Sequence, residues 1–279
     1  KMINLNNALK AYKQIDDLMN VSSLEESKSD QVSKDKIEGG IVFQNVNFTY
    51  PGKNEPVFDN LNLKINVGER IAIMGPVGSG KSTLISLILG LNKPSSGYVL
   101  LDKVDVNSIR QDDLRNNIGV VLQNVELFSG TLEDNIKINA EDVSNDNFFA
   151  AARLSGVDDF AGQLQNAYKF HLQEGGLGLS GGQKQAIAWA RALINQPNLM
   201  ILDEPTSAMD HETEAKILNN LEEYFTGRTI LFCTHRRSFI EKATRVIVLD
   251  DKGIKLDISA EEYLNKIASL DERQKIGQI

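Results

Sequence analysis

Gly75-Pro76-Val77-Gly78-Ser79-Gly80-Lys81-Ser82-Thr83 follows a short apolar run, Arg70 to Met74, and opens a helical pattern from Lys81 to Leu91. Glycine, four residues, then Gly-Lys-Ser is the spacing of a phosphate-binding loop. Its glycines let successive backbone N–H groups turn inward around an anion, an approach that side chains would block. The helix behind it points its positive N-terminal end at the same anion. Lys81 can reach the β- and γ-phosphates of a nucleotide, and the Ser82 hydroxyl can ligate Mg²⁺. A buried strand feeding such a loop and helix is an α/β arrangement.

Further short apolar runs lie downstream, at Ile118 to Leu122, Leu199 to Leu202, Thr229 to Cys233 and Val246 to Leu249. Helical patterns separate several of them, including Gln183 to Ile194 and Glu212 to Phe225. This alternation predicts a mostly parallel, buried sheet with crossover helices. Upstream, Val46, Phe48 and Tyr50 alternate, Pro51-Gly52 makes a turn, and Leu61, Leu63 and Ile65 alternate again. These read as half-buried antiparallel strands. Between Asn124 and Leu179 no strand pattern stands out, but helical stretches such as Asp146 to Ser155 do, so a helical insertion is expected there. The fold class is therefore α/β: a P-loop NTPase core with a mostly parallel sheet, an antiparallel β subdomain and an α-helical subdomain over about residues 124–185.

Composition narrows the partners. The 279 residues are 41% hydrophobic and 24% charged, near the globular average. No run approaches the roughly 18 consecutive apolar residues of a membrane-spanning helix. A net charge of −8 argues against a nucleic-acid partner. Cys233, the single cysteine, cannot form an internal disulfide, and no Cys/His cluster suggests zinc. Residues 1–21 space Ile3, Leu5, Leu9, Tyr12, Ile15, Leu18 and Met19 like one face of a helix. From Ser22 to Glu38 follow five serines and eight charges, the composition of a linker. The chain starts at Lys1 without a signal peptide, as a piece of something longer would. Residues 1–38 are thus expected to be a tail and linker from an absent membrane domain, and residues 39–279 the folded domain.

Two further motifs carry chemistry. Leu199-Met-Ile-Leu-Asp203-Glu204 delivers adjacent carboxylates to the C-terminal end of a strand, where open α/β sheets bind ligands. Asp203 suits a metal held through water, and Glu204 suits the base that activates an attacking water. Leu179-Ser180-Gly181-Gly182-Gln183 opens another helix, with Ser180 as N-cap and two glycines exposing N–H groups to an anion.

Taken together, the three motifs resemble those of the nucleotide-binding domain of ATP-binding cassette (ABC) transporters, and the resemblance runs from about Gly40 to Ile267. It implies a phosphate loop from Gly75 to Thr83 that binds ATP with Mg²⁺, the metal being held by Ser82, Gln123 and Asp203. It implies Tyr50 as the aromatic that stacks on adenine, and Gln123 as the glutamine facing both Mg²⁺ and the transport domain. It assigns hydrolysis to Glu204 with His235 as the switch histidine near the γ-phosphate. Ser207-Ala-Met-Asp210 matches the loop that crosses to a partner subunit. Ser180, Gly181, Gly182, Gln183 and Asp210 would then meet ATP bound by a second copy, in a homodimer formed on ATP binding. His171 and His211 match nothing and are expected on the surface.

Leu-Phe-Ser-Gly-Thr-Leu-Glu-Asp-Asn-Ile, from Leu127 to Ile136, is typical of exporter cassettes, which follow a transmembrane domain in one polypeptide. Leu154 to Phe160, Gly182 to Ala188 and Thr234 to Ser238 are similar to bacterial type I secretion ATPases. That resemblance implies protein export across the bacterial inner membrane from its cytoplasmic face, with a periplasmic adaptor and an outer-membrane channel as partners. Export of lipid, drug or short peptide is the alternative. One departure stands in the loop from Glu174 to Leu179, where the family often has an arginine and this chain reads Glu-Gly-Gly-Leu-Gly. A chromosome-maintenance ATPase would need long heptad segments between Lys81 and Ser180, and there are none. An ATP sensor without turnover would fit an altered residue at 203 or 204, and both carboxylates are intact.

Overall fold

The computed structural model describes residues 31–276 except Asn139 and Glu141, together with Tyr12. The helix expected over residues 1–21 lies outside the described residues, Tyr12 apart. Strands β1 (Ile41–Phe48), β2 (Phe58–Ile65) and β3 (Arg70–Met74) precede helix α1 (Lys81–Ile88). Then come β4 (Ser96–Leu101), β5 (Val104–Asp105), α2 (Gln111–Asn117) and β6 (Ile118–Val121). A mostly helical stretch holds β7 (Gly130–Thr131), α3 (Leu132–Ile136), α4 (Asn145–Ser155), α5 (Asp158–Ala161) and β8 (His171–Leu172). Helix α6 (Gly181–Leu193) leads to β9 (Leu199–Asp203), α7 (His211–Leu221), β10 (Thr229–Cys233) and α8 (Arg237–Ile240). The chain closes with β11 (Arg245–Asp250), β12 (Gly253–Ser259) and α9 (Ala260–Ile276).

The apolar runs become the interior of a six-stranded sheet in the order β12-β11-β3-β10-β9-β6. Five neighbouring strands run parallel and β12 closes one edge antiparallel. Every residue of β10 is buried, as a strand covered on both faces requires. A second sheet, β2-β1-β4-β5, is antiparallel, and Leu61, Leu63 and Ile65 of β2 all face inward. The alternation along β1 breaks at Gln44-Asn45, where Asn45 takes a positive φ and the register shifts.

The helical stretch sits beside the parallel sheet and shares a core with it through α6. That helix packs on β6 and α4, and Trp189 is fully buried. Gly119 of β6 lets the two backbones approach closely, since a Cβ there would stand 2.5 Å from the Ala192 carbonyl. Two features differ from the sequence reading. The insertion does contain strands, β7 and β8, which pair antiparallel; two residues each are too few to show a period. The segment before Gly39 is also no free linker where it is described. Ile37 is 1% exposed, in the core of the antiparallel sheet. Val32 bridges to Ile109, and Asp113 accepts hydrogen bonds from the Ser33 hydroxyl and the Lys34 N–H. Asp102 accepts from the N–H groups of Glu38, Gly39 and Gly40. Two carboxylates from elsewhere in the chain thus fix a strap that its own polar composition would leave loose.

Candidate active site

The phosphate loop leaves β3 at Gly75, whose φ of 149° only glycine adopts freely; a Cβ there would collide with the Leu249 carbonyl. Gly80 stands at the N-cap of α1 in a left-handed conformation, so no side chain caps the helix, and its first turn carries no acidic residue. Those N–H groups remain available to an anion. Lys81 Nζ donates to the carbonyls of Gly75 (2.6 Å) and Pro76 (3.0 Å), which holds its charge over the loop. Pro76, Val77, Gly78 and Ser82 are exposed, and the buried Ser79 hydroxyl meets no hydrogen-bond partner among the described residues. An orphan polar atom inside an anion cradle fits a loop shaped for phosphate oxygens.

Tyr50 stands just beyond β1. Its ring meets Phe48 edge-on at 4.8 Å, and its hydroxyl hydrogen-bonds to Thr83 Oγ1 at 3.0 Å. An aromatic face therefore lies beside the phosphate loop.

Sheet order explains the rest of the cluster. β3, β10, β9 and β6 are consecutive neighbours, and all four run the same way. Each ends at the same edge in a candidate residue: the phosphate loop after β3, His235 after β10, Asp203 and Glu204 at the end of β9, and Gln123 after β6. Cys233 pairs in register with both Ile73 and Asp203, so those strand ends are level. Asp203 is half-buried, and burial, helped by neighbouring Glu204, pushes its carboxyl above the ordinary range, while Lys81 opposes the rise. Glu204 has φ 44°, a left-handed conformation unusual for a residue with a side chain, and its N–H donates to the Cys233 carbonyl at 2.9 Å. Thr234 Oγ1 donates to Glu204 Oε2 at 3.1 Å. His235 and Gln123 are exposed, as are His171 and His211.

Ser180 caps α6: its hydroxyl accepts from the Gln183 N–H at 3.2 Å, and Gln183 Oε1 accepts from the Ser180 N–H at 2.9 Å. Asp210 caps α7 through the Thr213 N–H at 2.8 Å, which lowers its carboxyl below the usual range. The two caps share a cavity of about 470 Å³, lined by Ser180 to Gln183 and Ala208 to Asp210 and by no residue of the phosphate loop. Gly181 is needed there, because a Cβ would stand 2.8 Å from that of Ala208.

Sequence reasoning missed the residue joining these parts. Gln185, 2% exposed, donates to the Glu204 carbonyl (3.3 Å) and to Ser207 Oγ (2.9 Å), and accepts from the Ala208 N–H (3.0 Å). Trp189 Nε1 donates to the Pro205 carbonyl at 3.0 Å. Helix α6 is thereby tied to the end of β9. A glutamine or tryptophan on a helix face carries no local sign of such a partner. The loop from Glu174 to Leu179, the stretch where the family often has an arginine, turns at Gly175 and Gly176 and leaves Leu177 exposed.

The ABC transporter family matches residues 58–207, more than half of the chain and both sides of the site. The chain belongs to the ABC transporter family. Among relatives of this cassette, the alpha-hemolysin translocation ATP-binding protein HlyB of Escherichia coli O157:H7 is 40% identical over 245 residues, 88% of this chain and 35% of that protein. The leukotoxin export ATP-binding protein LtxB of Aggregatibacter actinomycetemcomitans is 40% identical over 82% of this chain and 32% of its own length. The cassette thus spans about a third of the curated relatives it matches. The structure of a bacterial Atm1-family ABC exporter with ATP bound superposes with a TM-score of 0.85 at 30% identity, over 96% of this chain and 47% of that one.

Proposed function

We propose that the cassette is the ATP-hydrolysing motor domain of an exporter of the type I secretion kind, moving a large protein across the bacterial inner membrane from its cytoplasmic face. The observation that carries this reading is the common edge of four parallel strands, where a phosphate loop, two carboxylates, His235 and Gln123 converge. Lys81 and the α1 N–H groups hold the β- and γ-phosphates and offset charge that builds on them in the transition state. Glu204, anchored at its backbone by Cys233 and at Oε2 by Thr234, orients and deprotonates the attacking water. His235, on the adjoining strand end, contacts the γ-phosphate.

Among the described residues, no group of three or more His, Cys, Asp or Glu side chains could hold a metal. The donors present, the Ser82 hydroxyl, Gln123 and Asp203, suit Mg²⁺, which takes oxygen ligands and draws most of them from phosphates and water. When bound, that ion neutralises charge on the β- and γ-phosphate oxygens.

The separate cavity of Ser180 and Asp210 completes the site from a second copy, arranged head to tail. An upstream transmembrane domain would dock on an apolar groove of about 380 Å³ beside Gln123, where Leu89, Leu91, Leu122 and Phe128 line the wall. A periplasmic adaptor and an outer-membrane channel are the further partners of such an exporter. The reading is tested by steady-state hydrolysis of MgATP. The wild-type chain should turn over, and Glu204→Gln should lose roughly 10²-fold or more in kcat while still binding ATP. Equal turnover in the two proteins would contradict it.

A further inference from the structure

Glu214 is an anomaly on the surface helix α7. It lies one turn after Asp210, yet it is 4% exposed, and no reading of the motifs gives it a task. Three side chains donate to its carboxylate. Thr206, itself fully buried, gives its hydroxyl to Oε2 at 2.6 Å. Arg236 Nη1 donates to the same oxygen, and the Ser238 hydroxyl donates to Oε1. Burial alone would raise this carboxyl, but the hydrogen bonds from Ser238, Thr206 and Arg236 hold it below its ordinary range. It is a buried carboxylate with hydrogen bonds to both oxygens, and such groups persist in the interior only with their partners in place.

The donors come from the two segments that follow β9 and β10, which the proposed chemistry uses. Thr206 lies between Glu204 and the Ser207 to Asp210 loop that would cross to the partner. Arg236 and Ser238 follow His235, and the Arg236 N–H donates to Thr234 Oγ1, the same hydroxyl that donates to Glu204 Oε2. A closed circuit results: Glu204 to Thr234, Thr234 to Arg236, Arg236 to Glu214, and Glu214 to Thr206, two residues from Glu204. His235 is the one member of the Thr234–Arg236 segment left exposed, held on both sides by residues of the circuit.

We infer that Glu214 is a positioning residue, which fixes His235 and the Ser207 to Asp210 loop in one frame, so that the partner-facing loop and the histidine move together. It touches no reacting atom. The inference rests on the proposed ATPase reading, and its consequence is a selective one. Without the carboxylate, ATP still binds the phosphate loop, but His235 is no longer set against its own chain's γ-phosphate, nor Asp210 against the ATP of the second copy, and misplacement of that kind costs up to about 10²-fold in rate.

The test uses the 279-residue chain and a double-mutant cycle. Glu214→Gln, which keeps the shape, should lower kcat tenfold or more by this argument, with the KM for MgATP changed less than twofold. In a His235→Ala background the same substitution should cost clearly less than it does in the wild type, because one of the two groups it positions is gone. Thr206→Val, which removes a single donor, should show a smaller loss of the same kind and guards against failure of Glu214→Gln to fold. If both variants fold and keep wild-type kcat, or if their losses multiply in full with that of His235→Ala, the inference is overturned. If the wild-type chain itself does not hydrolyse ATP, the ATPase reading fails instead, so the two failures are told apart.

Discussion

Lys81 brings the fixed positive charge of the phosphate loop, and its ammonium is already anchored by two loop carbonyls. Lys81→Ala should therefore weaken MgATP binding strongly, since charge-assisted contacts to phosphate are the strong ones. Tyr50→Ala should weaken it less, by roughly 1–3 kcal/mol if stacking on adenine resembles stacking on nucleic-acid bases. Calorimetry on both variants checks the order, and unchanged affinity in the Lys81 variant would defeat the assignment. Asp203 yields a prediction of the opposite sign for stability. Its carboxyl is raised in the folded state, so ionising it disfavours the fold; that cost is present above the raised value and vanishes below the ordinary Asp range. Asp203→Asn should accordingly raise the melting temperature of the nucleotide-free chain at neutral pH, lose that advantage in acid, and abolish MgATP turnover. A variant that melts lower at neutral pH would contradict the account of Asp203.

Helices and strands show where sequence reading succeeds and where it stops. The phosphate loop, Asp203-Glu204 and the Ser180 cap were legible because each holds its chemistry within a few adjacent residues. Gln185, Thr234 and Glu214 were not, because their partners belong to other elements. The strap before Gly39 looked like a linker for the same reason: a lone Ile37 among charges shows no period, and the carboxylates that fix it, Asp102 and Asp113, lie more than 60 residues away. Removing residues 1–38 should therefore cost more stability than removing residues 1–30, by about 1.5–3 kcal/mol from Ile37 alone. Urea unfolding of the two truncations decides it, and equal midpoints would mean the strap contributes nothing. On α6, Gly181→Ala pushes a methyl against Ala208 and should lower kcat with little change in ATP affinity, which steady-state and binding measurements separate.

For the molecule as a whole, the phosphate loop and the Ser180 cavity are distinct places on one chain. On the proposed reading one copy offers half of each of two sites, and two copies head to tail complete both. Ser180→Arg should abolish turnover by blocking the partner's γ-phosphate, yet spare ATP binding to its own loop. Glu204→Gln, which keeps ATP intact, should be a dimer in MgATP and mostly monomer without nucleotide, as read by light scattering. The most direct measurement is the specific ATPase activity of the wild-type chain across a wide range of protein concentration. Two-chain catalysis predicts that activity per molecule rises with concentration while dimers are scarce and then levels off. A flat profile in a preparation shown to be monomeric throughout would contradict it.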